Sequence, residues 1–170
     1  MEFLTTIKEQ LPDWAKDIRL NLDAVIARST LAPEDAVGAA LSAAYAARSP
    51  VLVEAFKSGL SEADANAALT ASALMGMNNT WYPYVEMTGD AQLKSLPAQL
   101  RMNAYATHGG VDKKRFELFA LVASIIGKCH FCVASHYENL KKDGLSTEQL
   151  RDAGPVSYTH LRAHETKANL

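Results

Sequence analysis

Apolar residues recur at intervals of three and four along most of the chain, which places them on one face of an α-helix. The run that Pro12 opens shows this spacing at five positions: Trp14, Ile18, Leu22, Val25 and Ile26. No convincing alternation of apolar and polar residues bounded by turn signals is present, so strands and a βαβ arrangement are disfavoured. The pattern predicts an all-α domain of about eight helices.

Prolines, capping residues and glycines indicate where these helices begin and end. Ser61 with Asp64 resembles a capping box, Asp112 is a favourable N-cap, and Gly144 is a favourable C-cap. In chain order we expect helices from Pro12, at 33–49, at 51–57, from Ser61 through Met77, from Pro97, at 113–126, from the cysteines to about 143, and from Ser146.

Two segments resemble each other when a one-residue gap is allowed, namely 71–78 and 123–129. Both are small apolar helices interrupted by glycine. An ancient internal duplication with one redox-inactive copy is one interpretation, and two alanine-rich helices that are alike by composition are the other.

The last part of the chain differs from the rest. Apolar periodicity stops after residue 153, and the segment 154–170 looks like translated adapter sequence fused to a truncated gene. We therefore expect a helical domain over 1–153 and a non-native tail over 154–170. His160 and His164 have the spacing of metal ligands on a helix, but we base no site on them.

Charge and composition argue against several classes of function. The 170 residues suffice for one domain, and the formal net charge is −2 without a basic stripe, so nucleic acid is not an expected partner. The first residues carry charges where a signal peptide needs an apolar run, and no apolar stretch is long enough to span a bilayer. We expect a cytoplasmic protein without a membrane segment.

The two cysteines, Cys129 and Cys132, are separated by two residues, and His136 follows four residues after the second. In a reducing cytosol such a close pair is more typical of catalysis or metal binding than of a structural disulfide. A histidine four residues along a helix can take the Cys132 proton, whereas the helix start and Lys128 favour a thiolate at Cys129. The spacing leaves open which thiol attacks first.

Glu117 lies in a segment that is apolar nearly all round, which predicts a buried helix. On that helix it shares a stripe with three residues that lead toward the cysteines: Leu121, Ser124 and Lys128. A partly buried carboxyl group with a raised pKa would pass protons to and from His136. The alternative is a carboxylate paired with Lys113 or Lys114.

The same residues allow other functions. A zinc module would use Cys129, Cys132 and His136, but a structural site needs a fourth ligand that no spacing nominates. A c-type haem site needs histidine where Val133 stands, and a thioredoxin fold needs strands. Two buried structural cysteines would not call for the histidine spacing. His130, inside the pair, either tunes the redox potential or is a solvated side chain.

The combination of an upstream carboxylate, a CxxC pair and a histidine resembles the alkyl hydroperoxide reductase D (AhpD) family, in the carboxymuconolactone decarboxylase-like superfamily. The matching positions are Glu117, Cys129, Cys132 and His136. Three more segments look like that family, at 11–18, 75–79 and 100–103. The resemblance covers about residues 1–153.

The resemblance implies an all-helical homotrimer with thiol peroxidase and disulfide reductase activity and no bound cofactor. Cys132 would attack the peroxide and become a sulfenic acid, and Cys129 would donate a proton and resolve it by closing the Cys129–Cys132 disulfide. Glu117 and His136 would form the proton relay. Electrons would come from dihydrolipoamide on a 2-oxo acid dehydrogenase component, and the peroxiredoxin AhpC would be the partner that the protein re-reduces.

The chain departs from that family at two places. Some members have a histidine directly before the second cysteine, as part of the relay, where this chain has Phe131 and carries His130 one position earlier. The family also continues with a further apolar helix where this chain has 155–170.

Overall fold

The computed structural model describes residues 2–108 and 110–168, with side chains up to residue 159. This part of the chain forms ten α-helices and two short 3-10 segments, Glu2–Leu4 and Asp13–Ala15, and contains no strand. The α-helices are α1 (Thr5–Glu9), α2 (Lys16–Ala27), α3 (Pro33–Ala46), α4 (Pro50–Lys57), α5 (Glu62–Thr88), α6 (Ala91–Ser95), α7 (Ala104–Thr107), α8 (Lys113–Ile126), α9 (His130–Lys142) and α10 (Thr147–Ala168). The prediction of an all-α fold is confirmed.

Capping by local side chains is also as predicted. The Ser61 hydroxyl accepts the Asp64 N–H at 3.1 Å, and the Asp112 carboxylate accepts the Arg115 N–H at 2.9 Å. Gly144 follows α9 with a positive φ of 90°, which glycine adopts without steric cost. These contacts lie within one turn of each helix end, which is why a sequence pattern can predict them.

The prediction of a helix opened by Pro97 is wrong. Residues 96–103 are not helical, because Leu96 is extended, as is usual before proline, and the segment is largely exposed and gains no packing from a helical face. The helix that begins after Ser61 is instead longer than expected. It continues through Pro83 to Thr88 and ends at Gly89, whose φ is +64°.

The core is built around α3, whose residues 36–44 are all buried, with α4, α5, α8 and α10 packed against it. Small side chains allow close contact: a Cβ on Gly38 would lie 2.5 Å from the Phe119 ring. The Ser42 hydroxyl donates to the Phe119 carbonyl at 2.8 Å and so ties α3 to α8. Residues 116–124 of α8 are likewise all buried, which fixes the helix that carries Glu117.

Helix α10 continues where apolar periodicity predicts its end. Pro155 lies inside the helix, and beyond it Val156, Ser157 and Thr159 are buried. Proline removes one helical N–H, a loss that the packing of α10 on α2, α3 and α8 offsets. The non-native origin of 154–170 stays a prediction, and the side chains of His160 and His164 lie outside the described residues.

The two similar segments belong to α5 and to the end of α8 with the turn that follows it, and Asn79, directly after the first segment, contacts the second. The Asn79 amide donates to the Ala123 carbonyl at 3.0 Å, and a Cβ on Gly127 would lie 2.2 Å from the same amide nitrogen. The duplication itself stays a prediction. No helix in the described part of the chain is long and apolar enough to cross a membrane.

Candidate active site

The two cysteines lie at the turn between α8 and α9 and are joined by a disulfide. Both are almost fully buried. Cys129 is the N-cap of α9, and its sulfur accepts the Cys132 N–H at 3.2 Å. Lys128 makes the turn with a positive φ of 54°. The disulfide that the family resemblance implies is therefore present, and it lies at a helix N-terminus, where negative charge on sulfur is favoured after reduction.

His136 lies one helical turn after Cys132, and its side chain is only 12% exposed. Its Nδ1 is 2.7 Å from the Glu117 Oε2, and its Nε2 is 3.2 Å from the sulfur of Met75. Among the described residues, no hydrogen bond joins His136 to either cysteine sulfur. In this disulfide form both ring nitrogens thus face groups other than Cys132.

Glu117 is buried and accepts three hydrogen bonds. Tyr105 Oη donates to its Oε1 at 2.6 Å, while His136 and, at 3.4 Å, the Asn139 amide contact its Oε2. Burial alone would raise the pKa of Glu117, but the hydrogen bonds from His136 and Tyr105 and the attraction to the His136 ring outweigh it and lower the pKa to about 2.

The expectation of a raised pKa for Glu117 is therefore wrong. The apolar segment around it correctly indicates burial, but it does not reveal the donors that other helices bring. The alternative pairing with Lys113 or Lys114 is not found either, because both lysines are exposed on the surface of α8.

Tyr105, Asn139 and Met75 complete the surroundings of Glu117 and His136, and sequence reasoning did not single them out. Burial first, and then the contact with Glu117, raise the pKa of Tyr105, so its hydroxyl stays protonated and donates. Asn139 follows His136 by one helical turn, a spacing that could have nominated it. Tyr105 lies in the four-residue α7, where no local pattern marks it. Met75 lies in the segment 75–79 of α5, which resembles the family but indicates no role for this side chain.

His130 and Phe131 point toward the end of α5. The His130 side chain is 80% exposed, and its Nδ1 is 3.0 Å from Glu86 Oε1. The Phe131 ring stacks on Tyr82 with a centroid distance of 4.3 Å. Both residues line a cleft of about 770 Å³ beside the disulfide. Neither is in hydrogen-bond contact with Glu117 or His136, and the role of His130 in tuning the redox potential stays a prediction.

The three residues considered for zinc do not present a ligand set in this form. The sulfurs of Cys129 and Cys132 are bonded to each other, and the His136 nitrogens face Glu117 and Met75. Over the described residues, no group of three or more histidine, cysteine, aspartate or glutamate side chains is arranged to hold a metal ion. What the arrangement offers is a disulfide and, one helical turn away, a histidine hydrogen-bonded to an ionised carboxylate.

Comparison with known proteins identifies the family of this chain. A model described as the carboxymuconolactone decarboxylase family matches residues 91–156. An alkyl hydroperoxide reductase AhpD from Rhodospirillum centenum is 42% identical over 154 residues, which cover 88% of this chain and 82% of the relative. An AhpD protein from a Bradyrhizobium species is 40% identical over 86% of this chain and 83% of the relative. An AhpD protein from Coxiella burnetii is 39% identical over 87% of each chain. With that identity over most of both chains, this protein belongs to the AhpD family, within the carboxymuconolactone decarboxylase group.

Proposed function

We propose that this protein is an antioxidant thiol peroxidase and disulfide reductase. It reduces alkyl hydroperoxides, regenerates the peroxiredoxin AhpC, and takes its electrons from protein-linked dihydrolipoamide. The observation that carries the proposal is the Glu117–His136 pair, with Nδ1 and Oε2 2.7 Å apart, one helical turn from a cysteine of a buried CxxC disulfide. The names of the similar proteins support the alkyl hydroperoxide part of it.

The catalytic cycle starts with reduction of the disulfide. A thiolate of dihydrolipoamide attacks one sulfur and forms a mixed disulfide, and its second thiol then displaces the protein sulfur. Two electrons and two protons pass to the protein, and lipoamide leaves in its cyclic disulfide form. Cys129 and Cys132 are left as thiols.

Peroxide is then reduced at Cys132. The thiolate attacks the terminal oxygen of the hydroperoxide, the O–O bond breaks, and the alcohol leaves after it takes a proton. The sulfenic acid on Cys132 is attacked by the Cys129 sulfur, which releases water and restores the disulfide. The AhpC disulfide is reduced by the same two thiols through thiol–disulfide exchange.

His136 is the group that moves protons in this proposal, and Glu117 is the group that holds it. Because the pKa of Glu117 is lowered to about 2, the carboxylate stays ionised near neutral pH. It accepts Nδ1–H, fixes the ring and stabilises the imidazolium, which leaves Nε2 as the nitrogen that exchanges a proton with Cys132. Glu117 thus acts by charge and position rather than by taking up the proton itself.

Assembly into a homotrimer is part of the same proposal. The second half of α5 exposes three apolar side chains that suit a subunit interface: Met77, Tyr84 and Met87. Light scattering on the purified protein tests this point, since a mass of one chain would contradict it.

Peroxide-dependent oxidation of dihydrolipoamide tests the proposed function. Cys132→Ser should abolish turnover. In the absence of dihydrolipoamide, reduced Cys129→Ser should consume one equivalent of peroxide and stop at a sulfenic acid that a dione reagent traps on Cys132. Full activity of Cys132→Ser would contradict the assignment. Stoichiometric zinc, with no disulfide formed under peroxide, would favour the zinc module instead.

A further inference from the structure

Met75 makes a contact that the proposed cycle does not use. It lies on α5, is only 2% exposed, and places its sulfur 3.2 Å from Nε2 of His136. A thioether sulfur can only accept a hydrogen bond, and the ionised carboxylate of Glu117 can only accept as well. Each ring nitrogen of His136 therefore faces an acceptor, and both contacts are satisfied when both nitrogens carry hydrogen.

Nε2 is also the nitrogen that Cys132 needs. Glu117 holds Nδ1 at 2.7 Å, so only Nε2 is left to exchange a proton with the thiol. In the disulfide form, the Cys132 sulfur is bonded to Cys129 and carries neither a proton nor a charge. Met75 thus contacts Nε2 of His136 in the disulfide form, in which Cys132 cannot exchange a proton with that nitrogen.

We propose that Met75 is a positioning residue that holds Nε2–H of His136 while the disulfide is closed and releases it to the Cys132 thiolate once the disulfide is reduced. The inference rests on the proposed function, in which His136 serves Cys132. A thiolate is a much stronger acceptor than a thioether, so the hydrogen bond passes to Cys132 on reduction. The Met75 contact then stabilises the oxidised form alone and favours the disulfide at equilibrium.

The thiol–disulfide equilibrium against dithiothreitol measures this contribution. In the exchange, the protein disulfide takes two electrons and two protons from the linear dithiol, which becomes its cyclic disulfide. Met75→Leu keeps the volume of the side chain but removes the acceptor. We expect it to shift the equilibrium about threefold to tenfold toward the dithiol protein, which corresponds to about 15–30 mV for a two-electron couple.

Two further variants separate hydrogen bonding from packing. Met75→Gln retains an acceptor at the end of an unbranched side chain. Because an amide oxygen accepts more strongly than a thioether, the equilibrium should lie at that of the wild type or further toward the disulfide. Met102→Leu changes a partly buried methionine whose sulfur does not contact His136, and it should leave the equilibrium unchanged. The proposal is overturned if Met75→Leu has the wild-type equilibrium, or if Met75→Gln shifts it as far toward the dithiol protein as Met75→Leu does.

Nitrogen NMR of the His136 ring in the oxidised wild type gives a second readout that needs no variant to fold. Hydrogen on both ring nitrogens is the expected result, and a bare Nε2 would overturn the proposal. Neither measurement involves peroxide. Absence of peroxide turnover in the wild type would therefore remove the proposed function, whereas an unshifted Met75→Leu equilibrium in an active enzyme would remove the role of Met75 alone.

Discussion

At the residue scale, the charge on Glu117 is set by a competition between burial and hydrogen bonding. Burial disfavours the carboxylate, which lies on α8. Three donors from two other helices favour it: Tyr105 on α7, and His136 and Asn139 on α9. The effect of the hydrogen-bond donors is larger than that of burial, and the pKa of Glu117 falls from its ordinary 4.5 to about 2. The histidine therefore works beside a fixed negative charge.

Glu117→Gln should lower kcat/KM for peroxide by about 10²-fold, because an amide cannot stabilise the imidazolium. The shape of the side chain is nearly unchanged, so the disulfide should still form. Glu86→Gln is the matched control, since it removes the carboxylate that contacts the exposed His130 and should leave the rate near that of the wild type. Equal rates for Glu117→Gln and the wild type would contradict the role of Glu117.

The lowered pKa of Glu117 also predicts how stability depends on pH. A carboxyl group whose pKa is lower in the folded state contributes stability above its unfolded pKa and loses it as pH falls through the folded value. The shift from 4.5 to about 2 corresponds to about 3 kcal/mol. Urea unfolding of the oxidised wild type and Glu117→Gln should show a difference that shrinks as the pH falls from about 5.5 toward 2. A difference that does not depend on pH would contradict the assignment.

At the element scale, the turn between α8 and α9 holds the disulfide through close contact with α5. Gly127 has an ordinary helical φ of −73°, so its importance is steric rather than conformational. A Cβ there would lie 2.2 Å from the Asn79 amide, which is itself held by the Ala123 carbonyl at 3.0 Å. Cys129 follows Gly127 by two residues in the chain, so the position of the disulfide depends on this contact.

Gly127→Ala should destabilise the protein by about 1–3 kcal/mol, because Asn79 must move and lose its hydrogen bond. Gly76→Ala is the matched control on α5, where an added Cβ meets nothing within 4 Å. That change should stabilise the helix by about 0.5–1 kcal/mol. Urea denaturation gives both values, and equal stability of Gly127→Ala and the wild type would show that the close contact is absent in solution.

Elements with local signals could be predicted from the sequence, and elements fixed by distant contacts could not. The bounds of α8 and the caps at Ser61 and Asp112 follow from neighbouring residues, and the structure has them as predicted. The helix expected at Pro97 is absent, since the segment is largely exposed and Leu96 is extended before the proline. The spacing nominated His136 and the apolar segment nominated Glu117, but Met75 and Tyr105 join them only through tertiary packing.

At the scale of the whole molecule, α10 completes the core that supports the site. It packs on α2, α3 and α8, and α8 carries Glu117. Its buried residues include Val156, three positions after residue 153, where the apolar periodicity of the sequence stops. Periodicity within α10 could not predict this burial, because it depends on the faces that α3 and α8 offer.

Val156→Asp should destabilise the fold by about 3 kcal/mol or more, because it places a charge at a fully buried apolar position. Tyr158→Asp is the control two residues later, where the side chain is 58% exposed, and it should change stability by about 0.5 kcal/mol or less. Thermal unfolding of both variants tests whether the segment packs. A Val156→Asp protein as stable as the wild type would mean that the residues after Gly154 lie outside the core.

The central claim is that His136, held by Glu117, activates the thiol of Cys132. Its most direct test is the pH titration of thiolate absorbance in reduced protein carrying Cys129→Ser, so that Cys132 is the only thiol. We predict a thiolate midpoint well below about 8.5, the ordinary value for cysteine, and a rise toward that value when His136→Ala is added. A midpoint near the ordinary value that does not respond to His136→Ala would contradict the account.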